Sequence, residues 1–476
     1  MKNKQGLLGR VLTLGIGAAL SKAAVFLLMP LYTAALTPEG FGRAEIIINT
    51  ALLLLPLATL SAPEAVFRFL ADESERGVVR VGWRMLGCGL GLFALLMPLL
   101  SLFAALRPYL LYLLCYVVAA ALHSFFSHIL RARGSYTLYA AQQLFCTLLT
   151  VGLSVLFLPI LGLGERGYLA AIFLADAVTA LLIALYLKLC GGAEVGQGKP
   201  QGMLRYALPL IPTAALWWSI SYFDRFVLLS ASGASAIGLY AAAGRIPSLL
   251  TFGAGLFFEA WQYAVLHTAG EGRQAMFQRI YAMLRAGLVA AALGFVLFSR
   301  FLVEHIFAAD FAGASRFVPF LTLGALFSAL SSFLGSVYLV RMQTRASLST
   351  ALLGAGVSLI LCLWWIPLHG TMGAVMATVC AYLAIFLRRS RDATRAGLVR
   401  GGDLRFLVAV LLLTVTAGLV TVGRHALAIP VAAAALLLFL REYCDICGVL
   451  WRKAREFLQK IRKKEQKNQK KDLHSN

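Results

Sequence analysis

Apolar runs of about 20 residues, separated by short polar breaks, recur from one end of this chain to the other. At 1.5 Å per residue, about 20 residues of helix reach across the roughly 30 Å hydrocarbon core of a bilayer. Each run therefore predicts one membrane-spanning helix. About fourteen are expected, centred near residues 22, 55, 91, 119, 147, 177, 217, 252, 291, 329, 356, 379, 412 and 435.

The polar breaks orient these spans. With the N-terminus in the cytoplasm, the inner loops carry Arg76 and Arg80, Arg131 and Arg133, Lys188 and Lys199, and the cluster from Arg388 to Arg400, whereas the outer loops hold scattered cations such as Arg43, Arg107 and Arg424. That asymmetry follows the positive-inside rule, and an even number of spans returns the C-terminus to the cytoplasm. Lys2, Lys4 and Arg10 lead into an apolar run without a small-residue cleavage box, so the run is expected to stay as span 1.

Composition narrows the class. The 476 residues are 60% hydrophobic and 13% charged, with a mean hydropathy of +0.81, which excludes an ordinary soluble domain. The net charge of +22 is largely accounted for by the inner loops, so no nucleic-acid partner is needed. The eight cysteines lie mostly in apolar runs and imply no disulfide framework. Cys444 and Cys447 have Cys-x-x-Cys spacing but no second ligand pair, and read as helix filling. "GGAEVGQGKPQ" lacks the phosphate-loop spacing and reads as a flexible linker, so neither cofactor nor metal is expected.

A short repeat organises the chain. "LTPEGFGRA" after span 1 is echoed by "ASAIGLYAA" after span 7, and each leads to a glutamate followed by alanine: Gly42 precedes Glu64, and Gly238 precedes Glu259, by almost the same interval. Because six spans return the chain to its starting side, the two copies share orientation and are related by an axis along the membrane normal. The expected fold is an all-α integral membrane protein with an N-lobe over 1–190, a C-lobe over 203–390, an accessory span pair over 402–448 and a basic tail over 449–476. That tail puts Leu450, Ala454, Phe457, Leu458 and Ile461 on one helical face, and either lies along the anionic inner leaflet or is a charged cytoplasmic end.

Charges inside the spans mark the candidate site. Lys22, Asp176, Asp224, Arg225 and Arg245 lie within them, with Glu64, Arg68 and Glu259 nearer the cytoplasmic side. Each charge at the bilayer centre costs roughly 2.5–3.5 kcal/mol, so such groups face a bundle interior or water. In span 7, Thr213, Trp217, Ser221 and Asp224 recur every three or four residues, giving one polar stripe bordered by Arg225. Gly15, Ala18 and Ala19 share a face with Lys22. Pro209 and Pro212 mark a bend and a candidate hinge. Asp224 and Arg225 are about 100° apart on the helix and cannot form an ideal pair, so each needs a further partner: Lys22 or Arg245 for Asp224, a ligand anion for Arg225. An architectural ion network between the lobes is the alternative.

"LPLIPTAALWWSISYFDRFVLLSASGASAIGLYAAAGRIP" resembles the start of the second half of polysaccharide transporters in the multidrug/oligosaccharidyl-lipid/polysaccharide exporter superfamily, and "LLMPLYTAALTPEGFG" resembles their first span and turn. The shared features are the proline pair, Asp-Arg near the outer end of span 7, Gly-x-Tyr and the basic Arg245. The resemblance implies a bacterial plasma-membrane flippase that moves a polyprenyl-diphosphate-linked saccharide outward by alternating access. Lys22, Arg225 and Arg245 would then hold the diphosphate through charge-assisted hydrogen bonds, with Trp217, Trp218, Ser221 and Tyr222 along the saccharide. Spans 13 and 14 lie outside the repeat, and in the lipid II branch such a pair helps form a groove for the lipid tail. The lipid II pattern of an Arg-Asp pair in span 1 and an arginine deep in span 2 is not matched here, where span 1 offers Lys22 and Arg68 lies near the cytoplasmic end.

No nucleotide site supplies energy. Moving two negative charges outward across 100 mV releases roughly 4–5 kcal/mol, and Na⁺ or H⁺ coupling through Asp176, Asp224 or Glu259 is the other source. The expected partners are this lipid-linked cargo and membrane lipids, and the expected state is a monomer. A Na⁺- or H⁺-coupled multidrug exporter of the same superfamily is the competing reading. A membrane glycosyltransferase is disfavoured because the longest outer loop, around "EHIFAADFAGASRF", is short and its Asp310 has no evident partner.

Overall fold

The computed structural model describes residues 26–70, 73–189, 202–267, 271–340, 344–399, 403–440, 442–444 and 448. Lys22, Cys447, most of span 1 and the 449–476 tail lie outside them. Every described element is helical: α1 (Met29–Ala35), α2 (Pro38–Thr59), α3 (Ala62–Phe69), α4 (Glu75–Leu100), α5 (Leu110–Ala132), α6 (Tyr136–Val155), α7 (Gly164–Leu189), α8 (Met203–Ala207), α9 (Leu210–His267), α10 (Glu271–Leu297), α11 (Ser299–Ile306), α12 (Val318–Val340), α13 (Thr344–His369), α14 (Thr371–Arg395), α15 (Leu404–Thr421) and α16 (His425–Leu437).

Eleven of the helical segments are long and apolar enough to cross a membrane. One of them, Met203–Gly255, contains two of the expected crossings, because Gly233 (φ 79°, ψ 179°) breaks α9 into halves 210–232 and 234–267. Fourteen is not reached among the described residues: the first expected span is mostly outside them, and α16 has 13 residues. Leucine rows such as Leu95 and Leu99 on α4, and Leu407 and Leu411 on α15, are exposed on the surface that lipid would cover.

Chain chemistry sets the helix ends. Thr37 caps α2 by accepting the Gly40 N–H at 3.1 Å, with Pro38 in the first turn where its missing donor costs nothing. Below Pro56, Leu60 and Ser61 both take left-handed backbone angles (φ 47° and 48°), separating α2 from α3. Such angles are rare for residues with side chains. In apolar surroundings, buried hydroxyls of Thr50, Thr179 and Thr322 return to the carbonyl one turn back at 2.7 Å.

The helices pack as two groups. In the first half, α5 pairs with α7, α7 with α6, and α2 with α4 and α5; in the second, α14 pairs with α13 and α12, and α12 with α10. The pair α15–α16 docks on the second group, where Asp403 accepts from Arg285 Nη2 at 2.6 Å and the guanidinium lies over Tyr281 and Phe406.

The halves meet chiefly through α2 and α9. A Cβ on Gly42 would fall 1.9 Å from the Ala234 carbonyl oxygen, and one on Gly238 would fall 1.9 Å from the Pro38 carbonyl oxygen. Gly42 is four residues past Pro38, and Gly238 four past Ala234. Each copy of the repeat therefore presses the same glycine against the same position of the other, which is the reciprocal contact of a two-fold axis. The symmetry expected from the sequence is visible in that contact.

Candidate functional site

Two further contacts extend this junction on the Pro38 side. The Ala308 N–H donates to Thr33 Oγ1 at 3.1 Å, and the Phe41 and Phe311 rings meet edge to face at 6.1 Å. At the other end of the helices, Met203 and Ala207 of α8 are buried against α3–α5, and the Tyr206 ring lies 5.9 Å from Phe69. The halves thus touch at both ends.

Charges sit inside the junction. Arg245, two turns past Gly238, donates from Nη2 to Glu45 Oε1 at 2.5 Å; Glu45 is buried on α2 in the other half. Asp224 is buried near the end of the first half of α9. Its Oδ2 accepts the Tyr240 hydroxyl and, at 3.4 Å, that of Thr378 on α14. Its Oδ1 accepts the Arg225 N–H at 2.8 Å, and Arg225 Nη1 at 3.4 Å. Arg225 Nη1 also donates to the Ser221 carbonyl at 2.8 Å, its guanidinium lies between the Tyr222 and Tyr240 rings, and its Nε is buried without a partner among the described residues.

The expected partners of these charges need correcting. Asp224 and Arg225 do touch, at a long 3.4 Å, and the second group on Asp224 is Tyr240 rather than Arg245. Arg245 is taken by Glu45, which is close to a span end but lies two turns inside "PEGFGRAEIIINTALLLL". The rule that flags intramembrane charges applies to it equally.

The aromatic candidates divide. Trp218 spans the junction, donating from Nε1 to the Asn49 carbonyl at 2.8 Å, with its ring tilted against those of Tyr222 and Phe226. Trp217 and Thr213 are exposed, and Ser221 continues that stripe toward Asp224. A cysteine replacing Ser221 is expected to react with a water-soluble maleimide in membranes; full protection in every condition would place the stripe against lipid or protein. Pro209 lies in the turn between α8 and α9, and Pro212 in the first turn of α9. The Glu259 side chain lies outside the described residues.

Asp176 stands apart from the other candidates, in the first half. Its Oδ1 is 2.7 Å from His123 Nδ1, His123 Nε2 is 2.7 Å from Gln142 Oε1, and the Cys146 thiol donates to the same Asp176 oxygen at 3.4 Å. Donor atoms of His123, Cys146 and Asp176 lie within 4.8 Å of one another, a set of the types that bind metals. A transition metal bound at about 2.0–2.2 Å to nitrogen and oxygen holds them roughly 3 Å or more apart. The 2.7 Å separation is that of a hydrogen bond, so these residues as packed do not fit an ion.

The fold is shared with solved transporters. The chain matches a structure titled lipid II flippase MurJ in the inward closed conformation, with a TM-score of 0.64 and 14% identity over 94% of this chain and 99% of that one. It also matches an outward-facing multidrug resistance MATE family transporter of the MOP superfamily (TM-score 0.56, 18% identity, 82% of this chain and 96% of that one). A MATE transporter of Vibrio cholerae gives a TM-score of 0.53 at 18% identity over 84% and 99%. No curated protein sequence matches the chain. Residues 7–261, more than half of the sequence, match the family model described as polysaccharide biosynthesis protein, and the chain belongs to that family.

Proposed function

We propose that this multi-pass membrane protein is a flippase that carries a polyprenyl-diphosphate-linked saccharide from the inner to the outer leaflet of a bacterial plasma membrane, with both termini cytoplasmic. The observation that carries the reading is the two-fold junction closed by an ion pair between halves, Glu45–Arg245, beside the Asp224–Arg225 network. Family membership and the shared fold support a cell-surface polymer as the destination.

The chemistry follows from the geometry. A diphosphate headgroup and a hydrated sugar cannot cross hydrocarbon unaided, because each unsatisfied polar group there costs several kcal/mol. Rocking of the 1–190 lobe against the 203–390 lobe would release Arg245 from Glu45 and expose Arg225, whose Nε already lacks an acceptor among the described residues. Phosphate oxygens replace the lost carboxylate through charge-assisted hydrogen bonds. The exposed Thr213–Trp217 stripe lies along the saccharide, and the α15–α16 pair shelters the prenyl tail. Transport rather than bond chemistry is the task, driven by the membrane potential or an ion gradient.

Mass spectrometry of lipid extracts tests this directly. Depleting the protein is expected to raise a polyprenyl-diphosphate-linked saccharide several-fold, with the cargo identified by its mass. An unchanged lipid-linked pool together with increased sensitivity to organic cations would overturn the flippase in favour of a drug exporter of the same fold.

A further inference from the structure

The cluster around Asp176 has a proton count that fixes its chemistry. His123, Gln142 and Cys146 are buried, and His123 and Asp176 sit about midway along α5 and α7. The imidazole meets an oxygen on both sides: the Asp176 carboxylate at Nδ1 and the Gln142 amide oxygen at Nε2, each at 2.7 Å. A neutral imidazole carries one N–H, so it satisfies one of these contacts and sets lone pair against lone pair at the other. Two arrangements remove the conflict. Either an extra proton lies on the imidazole or shared with Asp176, or the Gln142 amide turns over and donates its NH₂ to a bare Nε2. In the geometry observed, that NH₂ group is buried with no partner among the described residues.

We propose that His123, Asp176 and Gln142 form a proton-binding site in the first half of the molecule, loaded with the Gln142 amide oxygen facing Nε2 and emptied by a turn of that amide. On release, the proton passes from the imidazolium to water. The neutral ring keeps its Nδ1–H on Asp176, the amide rotates to donate to Nε2, and the site goes from neutral to one negative charge.

Its surroundings tie that charge to the junction. Asp176 is the charged group acting on His123, and the Cys146 thiol donates to the same carboxylate. The helices that carry His123 and Asp176, α5 and α7, both pack against α2, the helix that carries Glu45. Glu45 holds Arg245 across the halves. A carboxylate held only by neutral donors in apolar packing is unfavourable until water reaches it, and in this proposal water reaches it when the halves separate. The loaded site therefore goes with the closed junction and the empty site with an open one. This deepens the flippase reading by naming H⁺ as the coupling ion, and it rests on that reading for its role in transport but not for the existence of the site.

The test is nitrogen NMR of the full-length protein in lipid nanodiscs with ¹⁵N-labelled histidine, from about pH 5 to pH 9. His123 is one of seven histidines, and its signal is identified by its loss in His123→Gln. The expected result is an imidazolium at pH 7 in the wild type and a neutral ring in Asp176→Asn. Gln142→Met, nearly isosteric, is expected to move the His123 midpoint down by at least a tenfold change in proton affinity. A neutral His123 throughout pH 6–8 in the wild type overturns the proposal. Hydrogen exchange in the same nanodiscs reads the coupling: amides near Gly42 and Gly238 should exchange severalfold faster at pH 9 than at pH 6 after correction for intrinsic rate, and lose that dependence in Asp176→Asn. Equal corrected rates overturn the link to the junction. Neither measurement contains a cargo, so a failure to flip any saccharide would count against the transport role alone and leave the proton site standing.

Discussion

Gly238→Ala is expected to hold the halves apart at the Pro38 end. The added methyl would sit 1.9 Å from a backbone carbonyl oxygen, and backbone cannot swing away as a side chain can. Overpacking of this kind costs about 1–3 kcal/mol, which converts to a shift of roughly 5- to 150-fold toward open forms. A reporter cysteine at Ala44, buried beside the junction, should then be labelled by a membrane-impermeant maleimide faster by a factor in that range. Because the contact is reciprocal, Gly42→Ala should give the same phenotype, and the double variant should add little once the junction has opened. Unchanged labelling in both single variants would show that this glycine contact does not control closure.

Arg245→Ala is expected to abolish transport while leaving the protein in the membrane. Arg245 is partly exposed and Glu45 buried, so removing the arginine leaves a buried carboxylate uncompensated, at a cost below the roughly 3–5 kcal/mol of a fully buried pair. Glu45, buried on α2, is that remaining charge. Two roles for Arg245 can be separated with the pair Glu45→Gln and Arg245→Gln. If the arginine only latches the halves, the double neutral variant should restore both thermal stability and flipping in proteoliposomes. If it also binds the diphosphate, stability should return while flipping stays below about one hundredth of wild type. Wild-type flipping by Arg245→Gln alone would remove the residue from both roles.

Much of this architecture could be read from local pattern. Span length and the proline pair are local signals, so the described helices and the turn at Pro209 fall near where those signals put them. The echo between Gly42 and Gly238 points to two copies of one unit, but that these glycines press backbone against backbone cannot be read from it, because spacing along the chain does not say which copies' positions touch. Partnership was less legible. Periodicity gives the face a residue occupies on its own helix, but not how neighbouring helices are rotated against one another. Arg245 therefore could be placed near a carboxylate but not assigned to Glu45 over Asp224, and Tyr240 and Thr378 gave no charge signal to follow. His123 escaped notice because a search for formal charges passes over a residue that is charged only on protonation.

The break at Leu60 and Ser61 makes the two halves unequal in backbone conformation. Two successive side-chain-bearing residues held in left-handed geometry store about 1–3 kcal/mol each, and the corresponding stretch of the second copy, within 234–267, runs on as helix past Gly253 and Gly255. The first copy is thus broken at a point where the second continues as helix. A chimera made by duplicating either stretch would carry two such breaks or none, and the two chimeras are expected to differ in how readily their halves part.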